Sequence, residues 1–186
     1  MVDKEFRLIA ITRPEGHSAK EADVILRLLG NENFWRVHIR KDSPFDSRAL
    51  LALIPERLRH RISLHNATFE DVQLFPGIGV HLTGKTPQVP AGFKGTVSIS
   101  CHTLDEVALA GDSCAYVFLS PIYDSVSKTG YKGAFSHSQL IEASKNGLLK
   151  NVIALGGVRS AKIEDVRHLG FYGAAMLGEI WENEEI

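Results

Sequence analysis

Eight short runs of β-branched or apolar residues recur along this chain, and they restrict its folding more than any other feature. They are "RLIAIT", "WRVHIR", "RISLH", "GIGVHL", "TVSIS", "AYVFLS", "NVIALGG" and "GAAML". Most are followed by a segment with helical spacing. After the first comes "SAKEADVILRLLG", in which Ala22, Ile25, Leu26 and Leu29 share a face and Gly30 supplies a stop. "DSRALLALIPERL", "TLDEVALAG", "SHSQLIEASKNG" and "SAKIEDVRHLG" repeat the theme.

Strand then helix, many times over, calls for a parallel sheet built from right-handed crossovers. Eight strands are the number that closes a TIM-type (β/α) barrel. The expected fold is therefore α/β, a trimmed barrel forming one domain over residues 1–186, with an open doubly wound sheet as the alternative. Two units depart from the repeat. "TGKTPQVPAGFKG" carries two prolines and three glycines where the fourth helix would lie. The chain also ends a few residues after the last strand, so the last helix is expected to be missing or short.

With 44% hydrophobic residues the chain can bury a substantial core. A net charge of -1 gives no electrostatic case for nucleic acid or an anionic membrane. No apolar run approaches a membrane span, and the opening "MVDKEFRLIA" does not read as a signal peptide. Cys101 and Cys114 each sit within apolar runs, as reduced thiols do. A cytoplasmic protein is expected. An absent last helix leaves an apolar face for a partner chain, which favours a homodimer.

Strand residues alternate between faces, so the parity of the polar positions can be read directly. Val37 and Ile39 share one face, His38 and Arg40 the other. Ile62 and Leu64 oppose Ser63 and His65; Val80 and Leu82 oppose Gly79 and His81. Ile99 and Cys101 oppose Ser98, Ser100 and His102. If the apolar set packs outward on helices, the polar set lines the interior toward the carboxyl ends, where barrels of this kind place their active sites. The bland alternative is a hydrogen-bonded interior network without a ligand.

The later strands offer different chemistry. "IALGGV" ends a strand with Gly156 and Gly157, and "MLGE" ends the next with Gly178. Glycines there let backbone amides approach an anion, and such barrels frequently bind phosphate after strands seven and eight. The hydroxyl- and lysine-rich stretch "SPIYDSVSKTGYKG" supplies Ser125, Ser127 and Lys128 on the adjacent rim.

These segments, in this order, resemble the thiamine-phosphate synthase family and its thiazole tautomerase branch. "HIRKDS" resembles the tautomerase version of the second-strand motif, and "SISCHTLDEVALA" the family's serine-x-histidine strand. "SPIYDSVSK" is similar to its Gly-Pro-Ile-Phe/Tyr-Pro-Thr-x-Thr-Lys loop, and "VIALGGV" to its Ala-Ile-Gly-Gly-Ile segment. The resemblance implies that Arg40, Ser125, Ser127 and Lys128 hold pyrophosphate or neighbouring oxygens. It places Ser100 at the reacting substrate and makes Gly133, Gly156, Gly157 and Gly178 a cradle for the phosphate of a thiazole phosphate or thiamine phosphate.

The departures bear on the reaction. The family's two magnesium carboxylates fall on Asn66 and Thr86, and a pyrophosphate lysine falls on Asp42, with Lys41 and Lys85 nearby. Magnesium needs hard oxygen ligands, so no metal is assigned, and magnesium is expected only on a synthase reading. Tautomerising a thiazole phosphate carboxylate needs only a proton moved, and a histidine-lined mouth suits that near neutral pH. The position after the strand-six glycine, a histidine in some tautomerases, is Pro121 here. The proton carrier is then to be sought among His38, His65, His81 and His102.

Metal-independent, tautomerase-like chemistry is therefore the first expectation, ahead of a synthase and of a module that only binds thiazole phosphate. A zinc centre made by the four histidines is a further reading. It is set lower because no inward Asp or Glu joins them.

Overall fold

The computed structural model describes residues 6–31, 33–123 and 134–182. Its strands are β1 (Arg7–Ile11), β2 (Phe34–Ile39), β3 (Ile62–His65), β4 (Gly79–Leu82), β5 (Val97–Cys101), β6 (Tyr116–Leu119), β7 (Val152–Ala154) and β8 (Gly173–Met176). They close in sequence order into a barrel in which every neighbouring pair is parallel, β8 returning to β1. Helices α1 (Ala19–Gly30), α2 (Pro44–Ala52) and α3 (Phe69–Leu74) follow the first three strands. Then come α4 (Leu104–Ala110) after β5, α5 (His137–Lys145) after β6, α6 (Ile163–His168) after β7 and α7 (Gly178–Trp181) after β8. As expected, no helix separates β4 from β5, and the last helix is a single short turn.

The helices begin where local chemistry tells them to. Ser18, Thr68, Thr103 and Ser136 each accept a bond from the amide three residues on. At Thr68 and Ser136 the third residue, Asp71 or Gln139, reaches back to complete a capping box. Ala22, Ile25 and Leu29 of α1 are buried against the outer faces of the strands, as their spacing requires. No helix among the described residues is long and apolar enough to cross a membrane.

The barrel interior has two unlike walls. Ile9, Ile11, Tyr116, Phe118, Ile153 and Ala175 form a mainly apolar wall from β1 and β6 to β8. Opposite them β2 to β5 bury Arg36, His38, Ser63, His81 and Ser98. Near the amino-terminal end of β2 the register slips, so that Leu8 faces Phe34 but Ile9 faces Arg36. This bulge turns Trp35 inward, with its ring 5.0 Å from Tyr116 and beneath the Arg36 guanidinium. As a residue expected to precede the second strand, Trp35 reads as outer or rim packing; the extra residue brings it inside instead.

Gly79 makes the polar wall possible. A Cβ there would lie 2.9 Å from both Arg36 Nη1 and Ser63 Oγ and 3.1 Å from the Thr96 carbonyl. Gly79→Ala should cost about 1–3 kcal/mol through overpacking, read from urea unfolding. A midpoint equal to wild type would mean that the guanidinium has room to move.

One large side chain anchors α7. Trp181 is buried, its indole N–H donates to the Ile11 carbonyl at 2.7 Å, and Arg13 donates to the Trp181 carbonyl.

Candidate active site

Three of the inward histidines meet in one cluster. One ligating nitrogen from each of His38, His65 and His81 lies within 4.8 Å of those of the other two. His38 Nδ1 is 3.0 Å from His65 Nε2, and His38 Nε2 is 2.6 Å from the Tyr116 hydroxyl. His81 shares hydrogen bonds with Ser98 Oγ through Nδ1 and with Ser100 Oγ through Nε2, each 2.8 Å long. The His65 and His81 rings lie 4.1 Å apart, and Phe118 of the opposite wall packs on His38 and His81.

The bonds continue downward into the barrel. Arg36 donates to the Ile62 carbonyl and to Ser63 Oγ, which is 3.1 Å from the Tyr116 hydroxyl. A guanidinium can only donate, whereas the Ser63 and Tyr116 hydroxyls can each donate or accept, so the bonds from Tyr116 through His38 to His65 can run in either sense with the imidazole tautomer. Tyr116 has no counterpart among the residues expected from sequence. In the apolar run "AYVFLS" a tyrosine reads as core, and only the fold shows its hydroxyl turned to a histidine.

Burial keeps the cluster uncharged. It holds His38 well below the usual imidazole range, with His81, His65 and Arg36 adding to the effect. His65 is lowered well below that range by burial, His81 and Arg40, and burial brings His81 down to about 3. Burial likewise raises the Tyr116 phenol, keeping its proton in place. His38 and His81 are fully buried, whereas His65 at the end of β3 is partly exposed and opens the cluster toward the mouth.

The other expected residues distribute as follows. Ser100 joins the cluster through His81. Arg40 is exposed at the rim, its backbone clamped by the buried Thr12, which accepts from the Arg40 amide and donates to its carbonyl. His102 stands apart from the other three; it is exposed, with Nδ1 3.1 Å from the Ser120 carbonyl. Its parity is correct, but it lies one residue beyond β5, where the alternation no longer applies.

Gly156 and Gly157 both have positive φ, 92° and 65°, and Gly178 starts α7. Gly156 has a packing reason as well, since a Cβ there would fall 2.8 Å from Pro121 Cα. Ser125, Ser127, Lys128 and Gly133 lie outside the described residues. Lys41, a candidate substitute for the missing pyrophosphate lysine, is committed elsewhere: its buried ammonium is 2.7 Å from both Glu21 oxygens.

Asn66 and Thr86 do not fit a magnesium ion. Asn66 sits in the left-handed region at φ 55°, and its Oδ1 already accepts from Thr83 Oγ1 at 2.6 Å. Thr83 and Thr86 bridge each other through backbone bonds of 3.0 and 3.3 Å. Both positions are neutral and tied together, with no carboxylate to offset the ion's dehydration.

The closed eight-stranded parallel barrel, with an interior cluster opening at the carboxyl ends of the strands, defines a TIM-type α/β protein. A family model described as thiamine monophosphate synthase matches residues 74–180. The chain belongs to this thiamine-phosphate synthase/TenI family. It is 28% identical to a thiamine-phosphate synthase of Anoxybacillus flavithermus over 145 residues, 72% of this chain and 66% of that protein. A second, from Lysinibacillus sphaericus, is 27% identical over 58% of this chain and 53% of its own length. The match thus spans just under two thirds and about half of these two relatives. The crystal structure of a thiamine phosphate pyrophosphorylase from Bacteroides thetaiotaomicron superposes with a TM-score of 0.80 at 32% identity, over 97% of this chain and 87% of that one.

Proposed function

We propose that this protein is a thiamine-biosynthesis enzyme that binds a thiazole phosphate or thiamine phosphate at the barrel mouth. On this reading it moves a proton on the thiazole without magnesium. The observation that carries the proposal is the state of the family's magnesium positions: Asn66 and Thr86 are neutral and linked through Thr83. Expelling pyrophosphate calls for a metal or cationic clamp. Tautomerisation calls only for a group that can take a proton at one atom and give one at another.

A neutral imidazole does this with its two nitrogens, and uncharged His65 is the member of the cluster open to the mouth. His38 Nδ1 behind it can exchange the hydrogen along the chain from Tyr116. Ser100, bonded to His81, and Arg40 at the rim flank that position. Phosphate would rest on the amides near Gly156, Gly157 and Gly178.

A second reading, thiamine-phosphate synthase, is favoured by the names of the relatives above. One pair of assays separates the two. Without magnesium, the purified protein should interconvert the tautomers of a thiazole phosphate carboxylate, and His65→Ala should slow this about 100-fold or more. An unchanged rate in that variant removes His65 from the reaction. Thiamine phosphate formed from hydroxymethylpyrimidine pyrophosphate and thiazole phosphate, only with magnesium, would establish the synthase instead.

A further inference from the structure

We propose that His38, His65 and His81 form a binding site for a transition-metal cation of the zinc class, with its open position toward the barrel mouth. The site draws on the same histidines to which the reading above gives the proton transfer, so ion and proton relay compete for them, and it differs in place and chemistry from the family's magnesium positions.

The geometry comes first. The His38 Nδ1 to His65 Nε2 separation is 3.0 Å. Two imidazole nitrogens on one tetrahedral zinc stand about 3.3 Å apart, from bonds of about 2.0–2.1 Å. A shift of a few tenths of an ångström accommodates the ion between this pair. The third nitrogen lies within 4.8 Å of them, so His81 must move inward to complete the set. Three strands supply the three ligands, so the barrel ladder fixes their backbones.

The atoms behind the ligands favour the same assignment. A metal-bound histidine needs a partner for its other nitrogen, which fixes the tautomer and the ring direction. Here His38 Nε2 has the Tyr116 hydroxyl at 2.6 Å, leaving Nδ1 to ligate. His81 Nδ1 has Ser98 Oγ at 2.8 Å, leaving Nε2, now shared with Ser100. Tyr116 is held in turn by Ser63.

The hydrogen now shared by His38 and His65 moves to the far nitrogen of whichever ring carries it, so three neutral imidazoles bind without a change in their total protonation.

The charge around the site selects the ligand set. Three imidazoles prefer zinc, copper, nickel or cobalt to magnesium or calcium. Among the described residues no carboxylate completes the group, and the Arg36 and Arg40 charges are felt at His38 and His65. The ion's charge is therefore balanced by an exogenous anion in the fourth position, beside Ser100 and Arg40. Hydroxide or a small oxyanion meets that need, and the partly exposed His65 marks its way in.

The test uses the full chain, stripped of metal and titrated with cobalt(II). One equivalent should bind with the intense visible absorption of a tetrahedral site, and equimolar zinc should bleach it. His65→Gln, at the most accessible ligand, should weaken cobalt binding about 100-fold or more while circular dichroism stays native. Tyr116→Phe, which removes the partner of His38, should weaken it about 10–100-fold. Folded wild-type protein without the tetrahedral spectrum would overturn the proposal. So would an unchanged spectrum in His65→Gln, which would assign the ion to surface histidines.

Discussion

Taken from pH 7 to pH 4, the metal-free protein should lose about 3 kcal/mol of folding free energy through His81 alone. The unfolded chain binds a proton near the ordinary value of 6.5, while burial in the barrel brings the folded imidazole to about 3. The folded state therefore carries fewer protons, and stability falls as pH falls. The contribution is whole above pH 6.5 and declines by about 1.4 kcal/mol per unit on the way down to the folded value. At pH 4 that is about 2.5 units. His38 and His65 shift in the same direction and add to the loss.

Asp71 titrates in a lower window. Burial pushes Asp71 up, but its bonds to Thr68 and Arg48 outweigh this and hold it below 3.8. Its contribution is present above that value and disappears below it. Urea midpoints at pH 7, 5.5 and 4 sample the histidine window while staying above that of Asp71. A flat profile down to pH 5 would mean that the histidines are hydrated and ordinary, which would also remove the argument for an uncharged cluster. His81→Gln should be less stable at pH 7 and lose less on acidification.

The second large effect is expected at Trp181. Replacing this buried indole with alanine should cost about 3–5 kcal/mol, because the site lies between α1 and the barrel and cannot readily collapse. Trp181→Phe keeps most of the volume but leaves the Ile11 carbonyl without its 2.7 Å partner. That should cost about 1–3 kcal/mol. Thermal or urea unfolding of both variants gives the answer. An alanine variant within 1 kcal/mol of wild type would show that the short α7 does not close this end of the barrel.

Much of this architecture can be read in the residues before any coordinates. The eight runs and their helical followers specify the strand order, and period-two parity correctly turns His38, His65 and His81 inward. Parity fails where the backbone stops being regular. The β2 bulge carries Trp35 inside, and His102 lies past the last paired residue of β5, so neither position follows from counting.

Other features depend on contacts remote in sequence, which no local pattern contains. Tyr116 reaches His38 across 78 positions, and Lys41 meets Glu21 across 20. The protonation state of the cluster is equally hidden, since a histidine at a strand end looks poised near neutrality until its burial is known. Thr12 behaves similarly. In "AITRP" it reads as the end of a strand, yet its hydroxyl fixes the backbone of Arg40 across 28 positions.

The glycine turn after β7 and the exit of β6 form a single mechanical part. Ile122 and Tyr123 donate to the carbonyls of Leu155 and Gly156, and Pro121 occupies the space that a Gly156 side chain would need. The turn and the residues Pro121 and Ile122 therefore hold each other in place. Two strand exits that are 35 residues apart at Pro121 and Gly156 are thus joined directly, backbone to backbone.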